Sequence, residues 1–188
     1  MHWLLLLCLL LSFCVGAASA QSTSTTGERT DNETEKFDKN GLTFDYQRNW
    51  TLSDQSNASA QQLVLTEPKL DAQIMIVALR GEVTNSEEEE HAKTALIEPS
   101  INRLLKQYYD AGIEVQRVAA KGGVGDLPAE GAQLRFSVDG QAGTTDVFWL
   151  VINQRLLQMF FIRPEKTAMQ SVTCWDLIRS SLKVAKPK

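Results

Sequence analysis

Sulfur and imidazole are scarce in this chain, and much of what it has lies at one end. Cys8 and Cys14 fall within the first twenty residues, which leaves Cys174 by itself, and His91 is the histidine that remains beside His2. With those twenty residues removed, no intramolecular disulfide can form, so the fold must rest on its core. One histidine and one cysteine also offer little to a metal cluster. Positive charge is not in excess: 19 Lys and Arg face 23 Asp and Glu, for a net charge of −4. That gives no basic footprint for nucleic acid. The apolar run Leu4 to Val15 is shorter than the roughly 20 residues that a membrane span needs. What is present, 43% hydrophobic and 22% charged residues, is the composition of one ordinary globular domain.

Leu4 to Val15 followed by Ala18-Ser19-Ala20 has the form of a secretory signal peptide with an A-x-A site, cleaved before Gln21. A transmembrane anchor is the first alternative. Lipid attachment at Cys14 is the second, although the bulky Phe13 stands where lipoprotein signals carry a small residue. Residues 1–20 are thus a signal peptide. Residues 21–39, rich in Ser, Thr, Asp and Glu, read as a disordered polar leader. Residues 40–184 form one globular domain, and 185–188 a frayed tail that already loosens at Val184.

Thr145 to Ile162 organises the domain. Asp146 to Ile152 and Arg155 to Ile162 read as two strands joined by a tight turn at Asn153-Gln154. Alternate side chains of a strand point to opposite faces. On the first arm Val147, Trp149 and Val151 would take one face and Phe148, Leu150 and Ile152 the other; on the second arm Leu156, Phe160 and Ile162 oppose Leu157, Met159 and Phe161. Both faces are apolar, so both need a cover. Further strands are predicted at Gly41–Tyr46, Trp50–Leu52, Gln61–Thr66, Ala72–Arg80, Ile113–Ala119 and Gly131–Val138, with a glycine-bearing loop over Lys121–Pro128.

Asn85 or Ser86 can cap a helix, with Glu88 or Glu89 completing a capping box. Ile97, Ile101, Leu104, Leu105 and Tyr108 then recur at helical spacing. Pro99 predicts a kink or a two-piece helix, and Gly112 ends it. Pro164 begins a second helix with Val172, Trp175, Ile178 and Leu182 inward. The class is α+β: an α/β/α sandwich with an antiparallel sheet of about six to eight strands, flanked by a long middle helix and a C-terminal helix.

Chemistry is hard to find in these residues. His91 lies at an acidic, exposed helix start and Cys174 lies mid-helix, which suits a solvated imidazole and a packed thiol better than a nucleophilic pair. Glu87 and His91 share a helical face, but two ligands make a weak metal site, and acidic residues at a helix N-terminus answer to its dipole. Gly122-Gly123-Val124-Gly125 lacks the Lys-Ser/Thr of a P-loop. No Gly-x-Ser-x-Gly or His-Glu-x-x-His occurs. Asn32, Asn49 and Asn57 each open an Asn-x-Ser/Thr sequon. The residues name no catalytic group, cofactor or metal.

At Gly41-Leu-Thr-Phe44-Asp-Tyr46-x-x-x-Trp50 the sequence resembles the opening of the PsbP-like and DcrB-like superfamily. The likeness continues through Leu63-Val-Leu65, Ile74 to Ala78, Gly131 to Arg135 and Ser180 to Leu182; Gln47 stands where that family usually has proline. The resemblance implies an α/β/α sandwich around an antiparallel sheet and a function in binding proteins rather than in catalysis. The expected function is that of an exported, non-catalytic domain that binds or assists another envelope or extracellular protein. An apolar patch beside Gly122–Pro128 or the kink at Pro99 is its expected surface. One alternative is a small-molecule carrier or enzyme with a pocket lined by Tyr108 and Tyr109. Another is a lipid-anchored envelope protein.

Mass spectrometry of the exported chain tests the processing. The expected first residue is Gln21, and a diacylated Cys14 would replace the released protein with an anchored one.

Overall fold

The computed structural model describes residues 33–186, so the signal segment with Ala18, Ala20 and Gln21, the Cys14 alternative and the Asn32 sequon lie outside the described residues. Among the described residues ten strands run in chain order: β1 (Thr34–Lys39), β2 (Leu42–Gln47), β3 (Thr51–Asp54), β4 (Ala60–Glu67), β5 (Ala72–Glu82), β6 (Val115–Val124), β7 (Leu127–Val138), β8 (Gln141–Ile152), β9 (Arg155–Pro164) and β10 (Lys183–Val184). Seven form one antiparallel sheet in the order β3-β4-β5-β9-β8-β7-β6. A second sheet holds β1-β2-β10. Helix α1 (Ser86–Ala92) continues through a π turn (Lys93–Ile97) into α2 (Glu98–Asp110). Helix α3 (Ala168–Ser181) follows β9 after a short 3-10 turn.

The hairpin β8–β9 lies within the large sheet and is covered on both sides. Val147, Trp149, Leu156, Phe160 and Ile162 pack against Ile97, Ile101, Leu104 and Tyr108 of the middle helix. Phe148, Leu150, Leu157, Met159 and Phe161 pack against Cys174, Trp175 and Ile178 of α3 and against Leu42 and Phe44 of the small sheet. Trp175 stacks on Phe161 at 5.1 Å between ring centroids. The turn Asn153-Gln154 has positive φ at both residues, 49° and 66°. That is the type I′ geometry whose twist matches the flanking strands.

The signature residues sit where this second layer joins the sheet. Phe44, Tyr46 and Trp50 are buried, and Gly41 turns the chain at φ 74°. The Asp45 amide donates to Ser181 Oγ at 2.9 Å, tying β2 to the end of α3. Arg155, 5% exposed, donates to the Leu79 and Asn40 carbonyls and to Gln61 Oε1, and so pins the two sheets together. Burial, helped by the charge of Arg80, lowers its pKa.

Several expectations are corrected. Thr34–Lys39 is strand rather than disordered leader, paired with β2 from Thr34↔Gln47 to Lys39↔Leu42. Its polar residues hide a strand that needs β2 beside it, and Phe37 stacks on Phe44 at 5.2 Å. Val184 does not fray: it is buried in β10 and pairs with Leu42. Pro164 ends a strand instead of starting a helix. Pro99 has no N–H to bond the Ala95 carbonyl, and the Glu98 N–H reaches five residues back to Lys93, so the expected break is a π turn.

Lys121–Pro128 is not a loop. β6 and β7 run through it, and the turn itself is Gly125-Asp126, with Gly125 at φ 57°. Gly125 serves the turn, whereas Gly122 serves packing. A Cβ on Gly122 would stand 2.5 Å from Phe148 Cε1, and one on Gly131 would stand 2.5 Å from Phe148 Cδ1 and 2.6 Å from the Val147 carbonyl. The Phe148 ring therefore lies over two glycines.

Gly131→Ala should then cost about 1–3 kcal/mol through overpacking. Denaturant unfolding measures it, and a neutral result would mean that the ring moves aside without penalty.

Candidate functional site

The ladder between β7 and β8 stops at Glu130↔Trp149, while β8 and β9 stay paired as far as Ile152↔Arg155. Pro128 explains the stop, since it has no N–H to continue the ladder. The tip of hairpin β6–β7 thus parts from β8, and α1 closes the third side. The resulting cleft holds about 690 Å³, with Trp149, Val151, Leu156 and Leu127 as its apolar lining and Glu89, Glu90 and Lys121 at its rim. Lys93 Nζ bonds Glu130 at 2.8 Å from helix to strand, and that bond raises the lysine pKa.

Two further hollows flank the π turn. One, of about 240 Å³, lies at the Pro99 kink between Val77, Leu79, Leu96 and Gln158. Gln158 Nε2 donates to Ser100 Oγ at 2.6 Å, and Ser100 in turn donates to the Ile97 carbonyl at 2.7 Å. The other, of about 610 Å³, is bounded by Leu79, Val83, Leu96, Glu82 and Glu87. Leu96 and Leu127, nearly half exposed, are two of four large apolar side chains left at the surface among the described residues. Both regions singled out in the sequence, Gly122–Pro128 and Pro99, border these concavities.

The cap of α1 forms as its residues predict, with a shift in the return bond. Asn85 Oδ1 accepts from the Glu88 N–H at 2.9 Å, while the Glu88 carboxylate reaches Thr84, accepting from its N–H and hydroxyl at 2.6 and 2.8 Å. These bonds hold Glu88 below the usual carboxylate range. At the far end, the Ile113 N–H bonds to the Tyr108 carbonyl and the Gly112 N–H to that of Tyr109. With Gly112 at φ 73° this is a Schellman motif.

The candidate chemical residues are kept apart. His91 is exposed on α1, and Cys174 is buried against the opposite face of the sheet. Burial pushes the Cys174 thiol up to about 12. Glu87 and His91 line the rim of one hollow, and no group of three or more metal-capable side chains occurs among the described residues. Tyr108 and Tyr109 do not share a pocket. Tyr108 is core, its hydroxyl 2.9 Å from Thr145 Oγ1 and its ring 4.7 Å from that of Phe136, whereas Tyr109 is 81% exposed. Sequence reasoning missed Trp149 as a cleft residue because strand periodicity assigns it to the core. Ser180-Ser-Leu-Lys183 has a Ser-x-x-Lys spacing, but the helix ends at Ser181, Lys183 enters β10, and Ser180 Oγ donates to the Leu177 carbonyl. Asn57 is exposed in a turn, its Oδ1 accepting from the Ser59 and Ala60 amides.

No family model matches the chain, and no curated protein does. Solved structures do resemble it. A protein from Bacteroides thetaiotaomicron matches with 13% identity and a TM-score of 0.51, over 81% of this chain and 48% of that one, so the present chain spans about half its length. Cyanobacterial PsbP from Synechocystis sp. PCC 6803 has 15% identity and a TM-score of 0.47, with 87% of this chain and 98% of that chain covered. LpqN of Mycobacterium tuberculosis, involved in cell envelope biogenesis, has 14% identity and a TM-score of 0.44, over 82% and 93% of the two chains. These likenesses are ones of fold. The seven-stranded antiparallel sheet between a long middle helix and a C-terminal helix is the α/β/α sandwich expected from the sequence. Among the described residues no helix is long and apolar enough to cross a membrane.

Two buried acids titrate late. Burial pushes Tyr108 up to about 12 from 10.0 and Cys174 up to about 12 from 9.0. Both raised values favour the neutral folded form, so their contribution is complete below pH 9 and is lost as pH rises towards 12. Alkaline unfolding should fall in that window, and Cys174 should resist thiol reagents at pH about 8 until denaturant is added. Labelling at the native rate of a free thiol would contradict the burial.

Proposed function

We propose that this chain is an exported, non-catalytic domain that binds or assists another protein of the envelope or extracellular space. In this reading residues 1–20 direct export and are removed, the remainder of the polar leader before Glu33 acts as a tether, and the folded domain, with Glu33 bonded to Arg48, presents the cleft. The observation that carries it is the cleft itself: an apolar floor, an exposed leucine on its wall and a mixed-charge rim. That is the anatomy of a protein-binding patch, apolar at its centre and polar around it. The Leu96 hollows extend the apolar surface around the helix.

A volume of about 690 Å³ also lies within the range of small-molecule sites. A carrier would use the same Trp149 and Leu156 floor, and a lipid-soluble dye displaced by that ligand would report it.

A photo-reactive side chain at position 90, on the exposed rim of the cleft, with cross-linking in the native envelope, tests protein binding. One retained protein is expected. Leu127→Glu should abolish its capture while changing stability by about 0.5 kcal/mol or less, since the site is exposed. Equal capture by the variant would move the binding surface elsewhere, and an empty capture would favour the small-molecule reading.

A further inference from the structure

Strand β6 ends the seven-stranded sheet, and the direction of its main-chain groups follows from one residue. Gly123 pairs with Pro128. Proline has no N–H, so this pair cannot exchange two hydrogen bonds and must be a non-bonded pair of the ladder. The two-residue turn Gly125-Asp126 gives the same parity, because it closes on the bonded pair Val124↔Leu127. Gln116, Val118, Ala120 and Gly122 therefore bond β7. The N–H and C=O groups of Val115, Arg117, Ala119 and Lys121 point away from the sheet. Arg179 Nη1 donates to the outward Gly123 carbonyl at 3.1 Å, which closes the edge at that end. From Val115 to Lys121, no described residue takes the outward groups.

We propose that this edge accepts an extended acidic segment of a partner protein as an eighth strand. Main-chain hydrogen bonds would supply the binding, and side chains facing alternate sides would supply the selection. The opposite edge, β3, is four residues long and offers little ladder. Charge chooses the occupant. Arg117, Ala119 and Lys121 share the face of the sheet that carries the middle helix, because they pair with Leu134, Ala132 and Glu130. Arg117 is held by Glu98 through two bonds of 2.9 and 2.8 Å. Lys121 is exposed, with no ion pair among the described residues. Arg135, on the other face, is exposed and bonds only the Gln133 side-chain oxygen, at 2.7 Å. A second copy of this chain aligned over the same stretch would gather two Lys121 without ion pairs on one face, each Arg117 being held by its own Glu98. Carboxylates on a partner strand would meet them instead, and cross-strand charge pairs favour that arrangement. The same cations that oppose self-pairing thus select an acidic strand. This surface goes beyond the cleft, although the Lys121 side chain reaches its rim.

Amide hydrogen exchange on the full chain reads the edge directly. In the free protein Arg117, Ala119 and Lys121 should exchange fast, with Gln116, Val118 and Ala120 protected. A synthetic peptide of alternating valine and glutamate, about nine residues long, should slow the first three by about tenfold or more. A valine–lysine peptide should leave them unchanged. Ala119→Pro should abolish binding without breaking the β7 ladder, since its N–H points outward. Should that variant misfold, Lys121→Glu keeps the main chain and should weaken the acidic peptide about tenfold while admitting the basic one. Slow exchange of the outward amides in the free protein would overturn the proposal by showing the edge already covered. A concentration-dependent dimer protecting them, equal protection by both peptides, or none by either, would do so too.

Discussion

The two apolar faces of one hairpin set the terms for everything around it. β8 and β9 carry large side chains on both sides, so neither face can meet water, and each needs a layer of its own. The middle helix supplies one layer through Ile97, Ile101, Leu104 and Tyr108. The other layer is composite, made of α3 and the three-stranded sheet, because a single helix of this length leaves part of the face open and Leu42, Phe44 and Val184 fill it. Neighbouring strands bend to the same demand: Gly122 and Gly131 give up their side chains to the ring of Phe148.

Polar groups buried in this frame are used as joints. Arg155 emerges from the hairpin turn into the seam between sheets and is met there by neutral oxygens from β4, β5 and the β1–β2 turn. Removing it would take a partner from the buried side-chain oxygen of Gln61. On the α3 face, Asp146 holds Arg163 at 2.5 Å and accepts from Gln133 at 2.8 Å, while the guanidinium of Arg163 lies 4.4 Å above the Phe161 ring. Tyr108 and Thr145 do the same for the middle helix. The Arg155 and Tyr108 joints tie the second sheet and the middle helix to the large sheet, where no backbone ladder runs.

Surface features arise where regular hydrogen bonding stops, and proline does the stopping in two places. Pro99 forces the π turn that sets Leu96 outward between two hollows. Pro128 ends the β7–β8 ladder and opens the cleft; by the same missing N–H it fixes which groups of β6 face outward.

The sequence by itself determined the hairpin, the helical stripe, the caps at Asn85 and Gly112 and the two-sided core, because each depends on a local period or on a residue with restricted backbone geometry. It also carried a signal that composition masked. Asn40-Gly41 is a strong hairpin turn, at φ 51° and 74°, and it implies the strand Thr34–Lys39 that a polar leader conceals. Tertiary structure decided what depends on a neighbour distant in the chain. Gly122 reads as a loop until Phe148 lies over it, Val184 reads as a tail until Leu42 pairs with it, and Trp149, a core residue, also floors a cleft because the ladder beside it ends. The reason is physical: periodicity records which face of an element is apolar, whereas the length of a ladder and the exposure of a groove depend on the strand that arrives next to it.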